Sequence, residues 1–130
     1  MTIILETTRL LLRHQVIEDL DALWATIHLE TGKFIGRCGL LPWTIDGQRE
    51  VEVAYTIARD HWGQGLATEA AQGILEYGFE KLKLSRLICL IDPENIASQR
   101  VAEKIGMSLE RKVDGWEGDG IPFLIYSITK

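Results

Sequence analysis

The architecture of this chain can be worked out from one short segment, Trp62-Gly63-Gln64-Gly65-Leu66-Ala67-Thr68-Glu69-Ala70. It follows a run of alternating apolar and polar residues and opens a run with apolar residues at helical spacing. Two glycines at a turn from strand to helix leave backbone N–H groups bare, and the helix N-terminus adds partial positive charge. This arrangement is typical of a phosphate cradle, although packing geometry explains two glycines at a helix start equally well. A Walker loop would have Lys-Ser or Lys-Thr after the second glycine, and neither is present. The third glycine of a Rossmann fingerprint is also missing.

Before this segment the chain is predicted to form strands and tight turns. Residues 50–57 alternate in polarity, which predicts a half-buried strand with Glu50 and Glu52 on its more polar face. Asp46-Gly47 and the turn at Gly32 predict two hairpins. The other predicted elements are a strand from Arg9 to Arg13, two turns of helix from Ile17 to Leu23, an extended segment from Trp24 to Leu29, and a strand from Phe34 to Leu41 that Pro42 helps to end.

After this segment helices and strands are predicted to alternate. Apolar residues at Leu66, Ala70, Ile74 and Phe79 predict a helix that continues to Leu82. The later elements are a strand from Arg86 to Ile91, a helix from Ile96 to Ile105 ended by Gly106, and strands from Met107 to Val113 and from Ile121 to Ile128. This order indicates one α/β domain over residues 1–130, with a mixed sheet and helices on both faces.

Length and composition exclude several classes of protein. The chain has 130 residues, of which 46% are hydrophobic and 25% charged, as in soluble globular domains. The net charge of −5 argues against general nucleic-acid binding, and no apolar run is long enough for a membrane span. Cys38 and Cys89 lie in apolar runs, which favours reduced thiols and a cytoplasmic location. The opening residues lack the pattern of a signal peptide, and the three histidines are too scattered for a metal site.

Several longer motifs occur in a characteristic order. They are ETTRLLLR, TGKFIGRCGL, VEVAYTI, WGQGLATEA and NIASQRVAEKIGM. This arrangement closely resembles the GNAT superfamily of acetyl-CoA-dependent N-acetyltransferases, and within it the ribosomal-protein N-terminal acetyltransferase branch. The resemblance covers nearly the whole chain. It implies a mostly antiparallel GNAT-like sheet, acetyl-CoA as cosubstrate without a metal, and a primary amine as acceptor, either a protein N-terminus or a small amine.

The resemblance also implies which residues hold acetyl-CoA. Gly65 and Ala67 fill the glycine and small-residue positions of the superfamily's pyrophosphate motif, and Trp62 stands where many members have Gln or Arg. The end of the preceding strand would pair with the pantetheine arm. The implied site comprises Thr56, Ile57, Trp62, Gly63, Gln64, Gly65, Leu66, Ala67, Thr68, Asn95 and Ser98. On local sequence alone, Asn95 is more simply a helix N-cap, and Ser98 is a solvated residue of the first turn.

Glu52 and Ser98 are the catalytic residues that the resemblance implies. Attack of an amine on a thioester needs a proton acceptor, and Glu52 matches a glutamate that this branch often carries. It would act through water; the alternative is an exposed strand carboxylate. The tyrosine that many members use as proton donor is replaced by Ala102, so Ser98 or water would take its place, or the thiolate leaves unprotonated. Tyr126 is interpreted as structural.

The chain departs from the family between its first two strands. Only the residues from 14 to 23 separate Arg13 from Trp24, where the family has a longer helical segment that builds much of the acceptor pocket. Either this segment is short, or residues are absent from the sequence. A short segment exposes apolar surface from Leu10 to Arg13, which favours a homodimer. Three functions stay open: an N-acetyltransferase, a non-catalytic acyl-CoA-binding or regulatory domain, and a generic nucleotide-binding domain.

Overall fold

The computed structural model describes residues 3–13, 23–115 and 120–130. Its strands are β1 (Ile3–Glu6), β2 (Leu10–Arg13), β3 (Trp24–His28), β4 (Phe34–Ile45), β5 (Gln48–Ile57), β6 (Arg86–Ile91), β7 (Ser108–Asp114) and β8 (Pro122–Thr129). The helices are α1 (Leu66–Glu80) and α2 (Ile96–Lys104), and a 3₁₀ turn at Arg59–His61 follows β5. Neither α1 nor α2 is long and apolar enough to cross a membrane.

These strands form one sheet in the order β1-β2-β3-β4-β5-β6-β8-β7. Neighbouring strands are antiparallel except β5 and β6, which run parallel. The register of β5 and β6 consists of one pair, Glu52 with Ile88, whereas β4 and β5 pair along ten successive positions. The two parallel strands therefore separate, and a gap opens between them towards their carboxyl ends.

The larger core lies between the helices and one face of the sheet. The buried residues of α1 and Ala102 of α2 form one cluster with Val53 of β5 and Leu87 of β6. A smaller cluster on the opposite face has the buried members Ile45, Ile88 and Ile125. The predicted α/β class and the mixed, mostly antiparallel sheet are confirmed. Most of the helix predicted from Ile17 to Leu23 lies outside the described residues, and both described helices pack on the same face.

Local sequence explains most turns and ends of these elements. Asp46 and Gly47 have φ values of 50° and 78°, and two positive φ angles are what a tight hairpin between β4 and β5 requires. Gly106 has a φ of 98° just after α2, as predicted for a helix end. The other predicted strands and helices occur within a few residues of their predicted ends.

One prediction about the strands is wrong, and one strand was missed. Pro42 does not help to end β4, which continues to Ile45 and pairs Pro42 with Val51. The pairing of β3 with β4 ends at Cys38, so one side of β4 has no described partner strand at Pro42, and a proline is tolerated there. The strand β1 was not predicted, although it pairs with β2 and contributes Leu5 to the core.

An ionic cluster fastens the end of β6 that lies opposite the gap. Arg86 donates from Nε and Nη2 to the Glu50 carboxylate at 3.0 Å each, and from Nη1 to Glu110 at 2.8 Å. Glu110 also accepts from Ser127 at 2.9 Å. These contacts tie β5, β6, β7 and β8 together, so the parallel strands are held at one end and separated at the other.

Candidate active site

The gap between β5 and β6 exposes backbone groups of β5. The carbonyl of Val53 accepts a hydrogen bond from the Cys89 thiol at 3.2 Å, so this residue directs its backbone groups towards β6. Backbone direction alternates along a strand, and Tyr55 and Ile57 therefore also face the gap. Thr56 directs its backbone groups towards β4 instead. Of Thr56 and Ile57, the two residues predicted to pair with pantetheine, Ile57 directs its backbone groups towards the gap and Thr56 does not; Tyr55 is the neighbour that does.

Glu52 lies where the two strands begin to separate. One carboxylate oxygen accepts from the Trp43 indole at 2.9 Å, and the other accepts from the backbone N–H of Leu90 at 3.1 Å. That N–H would otherwise pair with a neighbouring strand. Burial raises the pKa of Glu52 above its ordinary value, and the hydrogen bonds from Trp43 and Leu90 offset only part of this effect. Glu52 is therefore a partly buried carboxyl group with a raised pKa, not an exposed strand residue.

The side chain of Tyr55 extends from β5 to α2 on the face of the sheet that the helices cover. Its hydroxyl donates to the backbone carbonyl of Ser98, in the first turn of α2, at 2.9 Å. Burial is the largest cause of a strongly raised pKa at Tyr55, so its phenol stays protonated. Burial, together with the charge of Glu52, also raises the pKa of the neighbouring Cys89 thiol to about 12. Cys89 is consequently a protonated thiol and not a nucleophile at neutral pH.

The glycine turn lies beyond the carboxyl end of β5. Gly63 and Gly65 have φ values of 77° and 76°, a left-handed conformation that favours glycine at both positions. Gly65 is the N-cap of α1 and offers no side-chain cap, and the first intrahelical bond runs from the Glu69 N–H to its carbonyl. The N–H groups of residues 66–68 thus have no intrahelical partner, which fits an anionic ligand such as a diphosphate.

Trp62 lies between β5 and this turn. Its indole N–H donates to the Ile57 carbonyl at 2.7 Å, and the Arg59 guanidinium lies 5.4 Å from the centre of its ring. The residue is 62% exposed, so much of its ring surface is open to solvent. The indole therefore occupies one backbone acceptor of the gap and contributes an aromatic surface and a nearby cation at its rim.

The start of α2 forms the other wall of the gap. The Asn95 side chain accepts from the Ser98 N–H at 3.1 Å, so Asn95 is the predicted N-cap. Ala102 is fully buried in the core. Tyr126 is also buried, and its hydroxyl donates to Gln99 of α2 at 3.3 Å, which agrees with a structural role.

Two residues beside the glycine turn were missed by reasoning from the sequence. Arg9 donates to the Gln64 carbonyl at 2.9 Å and to Glu69 at 2.8 Å. The two residues are Arg9, in the motif ETTRLLLR, and Glu69, in the motif WGQGLATEA. Nothing in either motif indicates that these residues are neighbours in the folded chain. Among the described residues, no group of three or more His, Cys, Asp or Glu side chains could hold a metal ion.

Comparison with known proteins identifies the family. Residues 5–108 match the acetyltransferase (GNAT) domain family. The chain is 45% identical over 95 residues to the uncharacterized protein YkkB of Bacillus subtilis, covering 73% of this chain and 55% of that protein. It is 32% identical over 125 residues to the uncharacterized N-acetyltransferase p20 of Bacillus licheniformis, covering 89% and 69%. The chain thus spans between about half and two thirds of these relatives.

A solved structure agrees with this result. The GNAT-family acetyltransferase from Bacillus anthracis superposes with a TM-score of 0.80 at 23% identity, covering 99% of this chain and 98% of that one. At this identity the similarity concerns the fold. The family match and the similarity to p20 show that the chain belongs to the GNAT acetyltransferase family.

Proposed function

We propose that this chain binds acetyl-CoA in the gap between β5 and β6 and transfers its acetyl group to a primary amine. The observation that carries the proposal is the position of Glu52 where the gap begins, with the glycine turn beyond its open end. A carboxylate with a raised pKa and an array of unpaired N–H groups thus lie at opposite ends of one cleft. The acceptor is a protein N-terminus or a small amine in a cytoplasmic setting.

The cosubstrate would be held at three places along this cleft. The N–H groups of the turn from Gly63 to Thr68 would bind the diphosphate, with Trp62 at its rim. The backbone groups of β5 that face the gap would pair with pantetheine as a neighbouring strand would. The α2 N-terminus, with Asn95 and Ser98, would contact the pantetheine end near the sulfur.

Glu52 would accept the proton of the amine through a water molecule. As this proton leaves, the amine nitrogen bonds to the acetyl carbon, and the carbon–sulfur bond then breaks to give an amide and the thiolate of CoA. A raised pKa makes Glu52 a stronger base than an ordinary glutamate. Trp43 and Leu90 fix the orientation of the carboxylate.

The departing thiolate must be stabilised without the usual tyrosine. Ala102 is buried and has no acidic proton, so we assign this task to the Ser98 hydroxyl or to water. Tyr55 keeps its proton because its pKa is strongly raised, and its hydroxyl is directed at the Ser98 carbonyl. It therefore braces the cleft wall and does not supply the proton.

Calorimetric titration with acetyl-CoA tests the binding site. We expect Gly65→Asp to weaken binding about a hundredfold, because it strains a left-handed position and adds a negative charge beside the diphosphate. Gly47→Asp is the matched control, since Gly47 has a similar φ of 78° in the hairpin between β4 and β5. Equal affinities of the two variants would contradict the assignment.

Transfer is tested with peptides that have free N-termini and with small primary amines. We expect turnover by the wild type and a loss of at least a hundredfold in kcat for Glu52→Gln, with unchanged acetyl-CoA affinity. The variant retains only one acceptor oxygen for two donors, so a melting curve must show that it is folded. Unchanged turnover would remove Glu52 from the mechanism.

A non-catalytic acyl-CoA-binding domain is the second candidate. Two observations favour it: Ala102 occupies the position of the usual proton donor, and the segment between β2 and β3 is short. It predicts tight acetyl-CoA binding without turnover of any amine. The predicted exposure of apolar surface from Leu10 to Arg13 is wrong for Leu10 and Leu12, which are fully buried in the core, so β2 gives no support to a homodimer.

A further inference from the structure

A residue from the turn between β1 and β2 contacts the glycine turn directly. Arg9 donates from Nη1 to the Gln64 carbonyl at 2.9 Å. Its guanidinium also lies behind the next residue, since a Cβ built on Gly65 would be 3.6 Å from Nη2. Arg9 is 55 positions away from Gln64 in sequence, so this contact exists only in the folded chain.

Glu69 of α1 holds Arg9 in this position. Its carboxylate accepts from Arg9 Nε at 2.8 Å, from the Arg9 backbone N–H at 2.8 Å and from the Thr7 hydroxyl. Burial by itself would raise the pKa of Glu69, but the hydrogen bonds from Thr7 and Arg9 outweigh it and lower the pKa. Glu69 is therefore ionised at neutral pH, and the guanidinium is fixed by contacts in two directions.

The contact with Gln64 fixes the orientation of one peptide group. The described peptide bonds are trans, so the carbonyl of Gln64 and the N–H of Gly65 point in opposite directions. Arg9 holds the carbonyl on the side of β1. The Gly65 N–H must therefore point to the other side of the turn.

We propose that Arg9 is a positioning residue that presets the Gly65 N–H as a donor for the diphosphate of the cosubstrate, an inference that rests on the proposed function. Without Arg9, the peptide between Gln64 and Gly65 is free to rotate, because glycine accepts both signs of φ. Glu69 acts through Arg9 in the same way. The turn between β1 and β2 is thereby part of the diphosphate site without contacting the ligand.

The alternative is that Arg9 only fastens β1 and β2 to α1. This role would affect every ligand equally, whereas the positioning role concerns the diphosphate alone. Arg9→Lys separates the two, because lysine keeps the charge but cannot bond Gln64 and Glu69 with the planar geometry of a guanidinium. Arg9→Met is the stronger variant, and Arg49→Lys, at an exposed position of β5, is the control.

The kinetic test compares acetyl-CoA with S-acetyl-pantetheine, which has no diphosphate. We expect Arg9→Lys to lower kcat/KM for acetyl-CoA about tenfold, as expected for the loss of a charge-assisted hydrogen bond, and to leave kcat/KM for S-acetyl-pantetheine unchanged. Glu69→Gln should act in the same direction, and Arg49→Lys should have no effect. Equal losses with both substrates would overturn the proposal in favour of a purely structural role.

A binding readout keeps this test separate from that of the proposed function. We expect inorganic pyrophosphate to shift the Gly65 amide resonance in ¹H–¹⁵N NMR spectra of the wild type, and to shift it less in Arg9→Lys at the same concentration. Equal shifts, or no shift in the wild type, would overturn the positioning role of Arg9. Absence of acetyl transfer by the wild type would instead contradict the proposed function.

Discussion

Glu52 experiences opposing influences within a few ångströms. Burial disfavours its charged form, while the Trp43 indole and the Leu90 N–H favour it, and the net result is a raised pKa. The carboxyl group binds a proton more tightly in the folded chain than in the unfolded chain. It therefore lowers the stability of the fold as the pH rises through its pKa, and at the same pH it becomes able to accept a proton.

This balance predicts the pH dependence of turnover. We expect kcat, measured at saturating acetyl-CoA and amine, to rise with pH through a midpoint above 4.5, the ordinary value for glutamate. Glu52→Gln should lose this ascending limb. A wild-type profile that is flat from pH 5 to 8 would place the midpoint of the ascending limb below pH 5. An ascending limb that is retained in Glu52→Gln would belong to another group.

The contacts of single residues also show how far the sequence alone could lead. The glycine turn at Gly65 and the helix N-cap at Asn95 were predicted from the sequence, because a turn and a helix cap depend on neighbouring residues only. Tyr55 and Arg9 were missed because their partners lie 43 and 55 positions away. No spacing rule connects such pairs until the order and register of the strands are known.

At the scale of elements, α2 depends on its first turn. Asn95→Ala should lower the free energy of unfolding by about 1 kcal/mol, because the Ser98 N–H loses its acceptor. Asn95→Asp keeps this acceptor and should leave stability unchanged. If the Asn95 amide also donates to pantetheine, Asn95→Asp will weaken acetyl-CoA binding at unchanged melting temperature. Equal affinity in this variant would restrict Asn95 to capping.

The packing of β1 on α1 depends on Gly73. A Cβ there would lie 2.9 Å from the Thr7 methyl carbon and 3.2 Å from Leu5 Cδ1. Alanine usually stabilises a helix by about 1 kcal/mol relative to glycine, but we expect Gly73→Ala to destabilise the protein by about 1–3 kcal/mol through this overlap. Urea denaturation measures the change, with Gln72→Ala as the control on the same helix. A gain in stability would mean that β1 moves away freely.

At the scale of the whole molecule, Arg86 joins the two parts of the sheet at the end opposite the gap. Arg86→Met should lower the free energy of unfolding by about 2 kcal/mol, because two charge-assisted contacts are lost. Hydrogen bonds from Arg86 lower the pKa of Glu110, so its contribution is present above the ordinary value of 4.5 and is lost as the pH falls through the lowered pKa. The difference between wild type and variant should shrink accordingly in acid, and a constant difference would point to packing.

The single parallel pair between β5 and β6 has a consequence for ligand binding. Strands β1 to β5 lie side by side in their order along the chain, and β6, β8 and β7 form the rest of the sheet in that order. The cleft is thus a seam between two units of the sheet, β1 to β5 and β6 to β8, joined covalently through α1. A molecule bound along this seam would contact both units and hold them together. We expect amide hydrogen exchange to slow in β4 and β8 on binding of acetyl-CoA, although neither strand borders the cleft.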